Sequence, residues 1–254
     1  MSRAFLVVID SVGIGGAPDA DKFFNGDTPD TGANTLGHIA QVCAAGKAED
    51  ERSGPLAIPH LNAMGAGAAV KLATGLDLGW PVPTGAFAAA TETSMGKDTP
   101  SGHWELAGVP VPWDWHTFPD TKPAFPQAVI DRICDLAGVD GILANCHASG
   151  LEVIDDFGAE HVKTGWPICY TSVDSVLQIA AHEEHFGLER LLRLCQGLAP
   201  MLHDMKVGRV IARPFLGDDG RFERTLNRHD YAIDPPEKTP VSYTHLTLPT
   251  KRIV

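Results

Sequence analysis

The stretch from residue 110 to residue 126 constrains this chain most. Pro110, Pro112, Pro119, Pro123 and Pro126 all fall within it. Each proline fixes φ and removes a backbone donor, so neither a helix nor a central strand tolerates that density. Trp113, Trp115, Phe118 and Phe125 stand between the prolines. An irregular but apolar segment of this kind reads as a crossing between two bodies. It divides the chain near residue 112.

After the crossing, helical and strand patterns alternate. Gln127 to Ala137 is predicted as a helix that Gly138 ends. Strands are predicted at Gly141 to Cys146, Pro167 to Thr171 and Val207 to Ala212. Helices are predicted at Glu152 to Phe157, at Ser175 to His185 and at Leu188 to Leu202. In the last of these, Leu188, Leu191, Leu192, Cys195, Leu198 and Leu202 trace a helical stripe. Such alternation argues for an α/β domain. Before the crossing, Ala4 to Ile9 is continuously apolar and reads as a buried strand ending at Asp10. Thr35 to Cys43 reads as a helix, residues 46 to 84 as loop-rich, Ala86 to Ala90 as a strand, and Thr99-Pro100 as a helix start.

The chain has 254 residues and a formal net charge of −12. An acidic surface suits neither nucleic acid nor an anionic membrane. An anionic small molecule would need metal ions or a few placed arginines. Residues 4–9 are too short an apolar run for a leader or a membrane span. Five scattered cysteines without CxxC spacing fit a reduced, cytoplasmic protein. From Val241 onward the sequence has no acidic residue and no periodicity, and reads as non-native.

Several residues read two ways. Asp10, at the end of an apolar strand, suits a hard divalent ion or a simple turn. Thr99 before Pro100 is a good helix cap. A helix N-terminus also favours phosphate, so Thr99 equally suits a nucleophile. Ser172 and Asp174 could grip sugar hydroxyls or cap a helix beginning near Ser175. Arg213 and Arg228 suit phosphate oxygens or a solvated surface. Gly13, Gly15 and Gly16 fail the dinucleotide pattern because Pro18 stands where its last glycine belongs. His182-Glu183-Glu184-His185 is not HExxH, and reads as a solvated helical turn. His147, His161 and His229 carry no informative spacing.

Six segments together resemble the phosphopentomutases, members of the alkaline phosphatase superfamily. They are Phe5–Gly15 (FLVVIDSVGIG), Thr35–Ala40 (TLGHIA), Gly96–Glu105 (GKDTPSGHWE), Tyr170–Ala180 (YTSVDSVLQIA), Val207–Phe215 (VGRVIARPF) and Asn227–Ala232 (NRHDYA). The resemblance implies a metal-binding α/β core with an inserted α/β cap: a first core segment at 1–112, a cap at 113–238, and a core stub with a non-native tail at 239–254. It implies a phosphothreonine enzyme that interconverts ribose 1-phosphate and ribose 5-phosphate, or their deoxyribose analogues. Thr99 would carry the phosphoryl group, and Asp10 and Thr99 would ligate a two-ion Mn²⁺ site. Ser172 and Asp174 would lie near the sugar, with Arg213 and Arg228 on the non-reacting phosphate. A sugar bisphosphate would act as activator, and the partner is a small sugar phosphate rather than nucleic acid or membrane. The family's later Asp/His ligands, including an Asp-His-Gly segment, do not occur here, so the chain alone is expected to be inactive. Another mutase or phosphatase of the superfamily, or a non-catalytic sugar-phosphate-binding fragment, are the competing readings.

Overall fold

A computed structural model describes residues 5, 7–9, 11–25, 27–49, 53–96, 98–218 and 221–236. Asp10 and the segment from Val241 lie outside the described residues. The chain forms two compact units, one ending at Glu92 and the other beginning at Thr93.

The first unit is mainly helical. It holds a two-stranded ladder of β1 (Phe24–Asn25) and β2 (Thr28–Pro29), then α1 (Thr35–Ala44), α2 (Pro59–Met64) and α3 (Ala66–Thr74). Asn34 caps α1, its side chain accepting from the Gly37 N–H at 3.2 Å. The last two helices fall in the stretch expected to be loop-rich. Gly65 joins them at φ 117, where an added Cβ would strike the Phe87 side chain at 2.4 Å. Two expected strands do not form among the described residues; Ala4 and Leu6 of the first lie outside them. Phe5 and Val7 to Ile9 are irregular and exposed, and so are residues 86–90. A strand needs a ladder to satisfy its backbone, and among the described residues this unit holds only the short β1–β2 pair.

The second unit is a mixed α/β domain. It starts with α4 (Thr99–Leu106) and α5 (Gln127–Ala137). β3 (Leu143–His147), α6 (Glu152–Thr164) and β4 (Ile168–Thr171) form a parallel crossover, as do β5 (Val176–His182), α7 (Leu188–Asp204) and β6 (Arg209–Asp218). β4 and β5 run antiparallel. β7 (Arg221–Arg224) and β8 (His229–Ala232) share the free edge of β6, also antiparallel. The sheet order is β3-β4-β5-β6-β7, with β8 beside β6.

Period-two geometry sorts the side chains. Cys169, Leu177, Ile179, Ala181, Val210 and Ala212 point to one face. There they pack with Val129 and Ile133 of α5 and with Leu191, Leu194, Cys195, Leu198 and Leu202 of α7. The other face is covered by α6 at one end, through Ile168, Tyr170, Ala180 and Phe215 against Val153 and Ile154. Helices on both faces explain why β5 is buried along its whole length. They also explain why the helix expected over Ser175 to His185 is instead β5 followed by a π turn (Glu183–Gly187). Every residue of Val176–Ala181 gains a buried neighbour as a strand, which overrides local propensity. α6 runs a further two turns beyond Phe157.

Residues 110–126 are irregular, as expected, but not loose. Phe118 and Phe125 enter the main core, their rings crossing edge to face at 4.8 Å. Asn145, in left-handed conformation at the β3 bulge, accepts from the Ala124 and Phe125 amides at 3.0 and 2.8 Å. Buried Ser175 donates to the His116 carbonyl at 2.6 Å and accepts from Gly208 N–H at 2.9 Å. These bonds seal the segment onto the sheet of the second unit, within which it lies. The five cysteines are free thiols, and no described helix is long and apolar enough to cross a membrane.

Candidate functional site

The site forms where the sheet face opposite α5 and α7 runs out from under α6. Arg209, Ile211, Arg213 and Phe215 alternate onto that face of β6. Register brings Gln178 opposite Tyr170 on β4, and Arg224 of β7 opposite Phe215. Asp230 of β8 stands opposite Ile211. A row of polar groups therefore shares one surface.

At one end, Ser172 Oγ donates to Asp174 Oδ1 in a very short hydrogen bond. Asp174 Oδ2 pairs with Arg209 at 2.6 Å. Arg209 also lies 3.9 Å from Asp230, which pairs closely with Arg228. Ser172, Asp174 and Arg228 are thus joined in one network through Arg209. Ser172 and Asp174 precede a strand, so they do not cap the helix once expected there. Arg213 donates from Nε to Gln178 Oε1 at 3.0 Å. Burial holds its guanidinium below its ordinary value; Tyr170 opposes that, Arg228 and Arg224 add to it, and Asp230 opposes it again. The Tyr170 phenol is pushed up by burial, against the pull of Arg213, Arg224 and Arg228.

Arg213, Arg224 and Arg228 therefore feel one another's charge. Among the described residues only Arg228 of the three has a carboxylate partner within 4.0 Å, Asp230. Tyr170 Oη, Arg209 Nε and Arg228 Nε are buried without a hydrogen-bond acceptor among the described residues. In a chain of net charge −12, a patch with excess cation and idle donors suits an anion bearing hydroxyls.

The loop carrying Arg228 is pinned from behind. Glu183 Oε1 accepts from Thr225 Oγ1 in a short bond and from Asn227 Nδ2 at 2.9 Å. The His182-Glu183-Glu184-His185 turn is therefore structural, and its first histidine is buried rather than solvated. His182 Nδ1 accepts from the Glu184 and His185 amides at 3.2 and 3.3 Å. Its Nε2–H consequently faces the Gly217 carbonyl at 2.9 Å.

Thr99 stands apart. Asp98 occupies the N-cap and Thr99 is the first helical residue, exposed, with Pro100 next. The cap thus falls one residue earlier than the sequence suggests. Ser101 Oγ donates to the Asp98 carbonyl at 2.8 Å. The Asp98 carboxylate rests against Gly208, where a Cβ would come within 2.8 Å of Oδ2. No hydrogen bond or ion pair among the described residues joins Thr99 to the arginine network. Nor do three His, Cys, Asp or Glu side chains gather anywhere among them as a divalent ion requires. The described residues by themselves do not complete a two-metal centre. A groove of about 410 Å³ in the first unit is lined by Gly15, Gly16, Asn34, His38 and Thr74 among others, with no arginine among its described lining residues.

Sequence reasoning missed Arg209, Arg224, Tyr170 and Gln178. Their only sequence signal is spacing of two along strands, and it becomes informative once the register is known.

Fold and site define a mixed α/β protein with an arginine-rich, hydroxyl-bearing sheet face. No family model matches the chain. By sequence it is a relative of the phosphopentomutases. It is 56% identical over 244 residues to "Phosphopentomutase" of Chelativorans sp. (strain BNC1), covering 94% of this chain and 58% of that protein. It is 54% and 55% identical over 246 residues to the proteins of the same name from Rhizobium rhizogenes (strain K84 / ATCC BAA-868) and Rhizobium meliloti (strain 1021), covering 94% of this chain and 59% of each. The chain thus spans less than two thirds of the length of the curated relatives it matches.

Proposed function

We propose that the chain supplies the sugar-phosphate site and the phosphate-carrying threonine of a phosphopentomutase, interconverting ribose 1-phosphate and ribose 5-phosphate or their deoxyribose analogues. The similarity to phosphopentomutases over 94% of the chain carries this reading. In it, Arg213 and Arg228 hold the non-reacting phosphate, and Ser172 and Asp174 face the sugar. Thr99, exposed at a helix start, carries the transferred group, because amides at a helix N-terminus favour phosphate. The phosphothreonine O–P bond breaks as a sugar hydroxyl takes the phosphorus, which leaves a bisphosphate. The other phosphate then returns to Thr99. A sugar bisphosphate would prime the cycle. The fold reading that accompanies this is an alkaline phosphatase-like core segment at 1–112 with a cap at 113–238, in a cytoplasmic protein. Asp10 and Thr99 would contribute to a Mn²⁺ site, which the described residues do not complete.

The share of the relatives that is covered favours a second reading of this chain by itself: it binds sugar phosphate without turnover. Calorimetry with ribose 5-phosphate and 3-phosphoglycerate tests the substrate class, and preference for the pentose phosphate is expected. A coupled assay on ribose 1-phosphate with Mn²⁺ tests turnover. Ordinary mutase rates would overturn the claim that the chain alone is inactive, and equal binding of both ligands would overturn the pentose-phosphate assignment.

A further inference from the structure

One point of the sheet grips α4 at both flanks. Before the helix, the Asp98 carboxylate lies flat on Gly208: its carbon and both oxygens fall 2.8–2.9 Å from where a Cβ at 208 would stand. Gly208 is not in a left-handed conformation, so close approach rather than backbone torsion demands glycine there. After the helix, the His116 carbonyl accepts from Ser175 Oγ at 2.6 Å, and the His116 amide donates to the Lys206 carbonyl at 3.0 Å. Ser175 and Gly208 are themselves joined. The Gly208 N–H reaches the Ser175 carbonyl at 3.0 Å and Ser175 Oγ at 2.9 Å, and Ser175 is fully buried. Between the flanks, Trp104 of α4 packs on Trp113 and Trp115, ring centroids 6.4 and 6.0 Å away. Lys206 Nζ stands 5.0 Å over the Trp113 ring.

The same two residues border the polar network. Ser175 follows Asp174, and Arg209 follows Gly208. The Asp174–Arg209 ion pair at 2.6 Å is therefore one residue from the Ser175–Gly208 hydrogen bonds on both strands. Groups so closely linked along two backbones do not move independently. A contiguous set of contacts thus runs from Asp174 through Arg209 and Gly208 to Asp98, the residue before Thr99.

We propose that Gly208 and Asp98 are positioning residues, which register Thr99 against the Ser172–Asp174 loop, so that a sugar phosphate seated on the sheet face is felt at the start of α4. The proposal rests on the sugar-phosphate reading of that face. Neither residue touches the ligand. A side chain at 208 drives the Asp98 carboxylate off its seat and breaks the register, while Arg209 and Asp174 keep their ion pair.

The test uses the full chain at saturating ribose 5-phosphate and reads backbone amide resonances, so that a change in affinity does not enter. The amides of Ser172, Asp174 and Arg213 should shift, and so should those of Thr99 and Ser101. In Gly208→Ala the shifts at Thr99 and Ser101 should shrink by about half or more, while those at Ser172 and Arg213 persist. Asp98→Ala should do the same. The Asp98 side chain makes no capping hydrogen bond to α4, so this second variant keeps the helix start and carries the test if Gly208→Ala does not fold. The Asp98→Ala/Gly208→Ala double variant should match either single, because both remove one contact. A further loss in the double variant would mean that the two residues act separately, and overturns the shared seat. Thr99 and Ser101 amides indifferent to the probe while Ser172 and Arg213 respond overturn the proposal and leave the sugar-phosphate reading standing. So do full-size shifts at Thr99 in both single variants, which direct contact between probe and α4 would give. No response at Ser172, Asp174 or Arg213 overturns the sugar-phosphate reading, and the proposal with it.

Discussion

Arg209 and Asp174 meet at 2.6 Å, with side chains only 13% and 24% exposed. The pair links the loop before β5 to the start of β6 and fixes the carboxylate to which Ser172 donates. Partial burial raises the cost of leaving either partner alone. Asp174→Asn and Arg209→Gln should each destabilise the fold by about 1–3 kcal/mol. The double variant should lose less than the sum, since neither charge is then stranded. Urea unfolding of the four proteins gives the coupling; strict additivity would show that the pair contributes nothing of its own.

The seam between α6 and β7 depends on a missing methyl. At Gly158 an added Cβ would meet two Phe222 ring carbons at 2.5 Å. Phe222 also stacks edge to face on Phe215, centroids 5.4 Å apart, so the ring cannot retreat freely. Gly158→Ala should cost about 1–3 kcal/mol through overpacking, despite the better helix propensity of alanine. Phe222→Leu in the same background should recover part of the loss. A stabilised Gly158→Ala in chemical denaturation would show that the seam is looser than described.

His161 ties acid sensitivity to this same helix. It is fully buried, its Nε2 accepts from the His182 amide at 2.9 Å, and its Nδ1 faces the Trp166 carbonyl at 2.6 Å. Both ring nitrogens are engaged in one neutral tautomer. Burial lowers its pKa; the Trp166 carbonyl opposes this, while His182, His185 and Arg190 reinforce it. The unfolded chain therefore takes up the proton first. The contribution is fully present above about pH 6.5 and declines as pH falls below it, by up to about 1.4 kcal/mol per pH unit. Urea midpoints between pH 7.5 and 5.5 should fall accordingly, and His161→Gln should flatten that slope. An identical slope in the variant would assign the acid sensitivity elsewhere.

How much of this was legible in advance depends on what each residue answers to. α5 and α7 were readable because their stripes are local: every third or fourth residue is apolar, and Gly138 marks an end. β5 was not. Val176 to Ala181 is apolar on both sides except at Gln178, and without knowing that helices cover both faces such a run serves a helix as well as a strand. The described residues of the N-terminal apolar run form no strand, and a strand exists only where a partner strand does. Arg213 and Arg228 could be picked out through the family resemblance alone. Arg209, Arg224 and Tyr170 acquire a role from register across four strands, which no single segment encodes. Thr99 was legible as a helix start within one residue, because proline and hydroxyl signals act within a turn.

That helix start is itself held by a carboxylate, which provides the last test. Glu105 of α4 accepts from the Thr93 amide and hydroxyl at 2.5 and 2.9 Å and from the Ser94 amide at 2.8 Å. Burial alone would raise its pKa, but the hydrogen bonds from Ser94 and Thr93 outweigh it and bring the carboxyl down to about 2. The ordinary value is 4.5, so the folded state favours the charged form. The contribution is complete above about pH 4.5 and is lost as pH falls toward about 2. Glu105→Gln keeps the shape, but its amide nitrogen cannot accept from Ser94. Exchange of the Thr93 or Ser94 amide should then accelerate about fivefold at pH 6, the effect of losing about 1 kcal/mol of protection. Amides of β5 should be unmoved, because the effect is confined to the segment leading into Thr99. Equal protection in both proteins would mean that the α4 start is held by its packing on Gly208 instead.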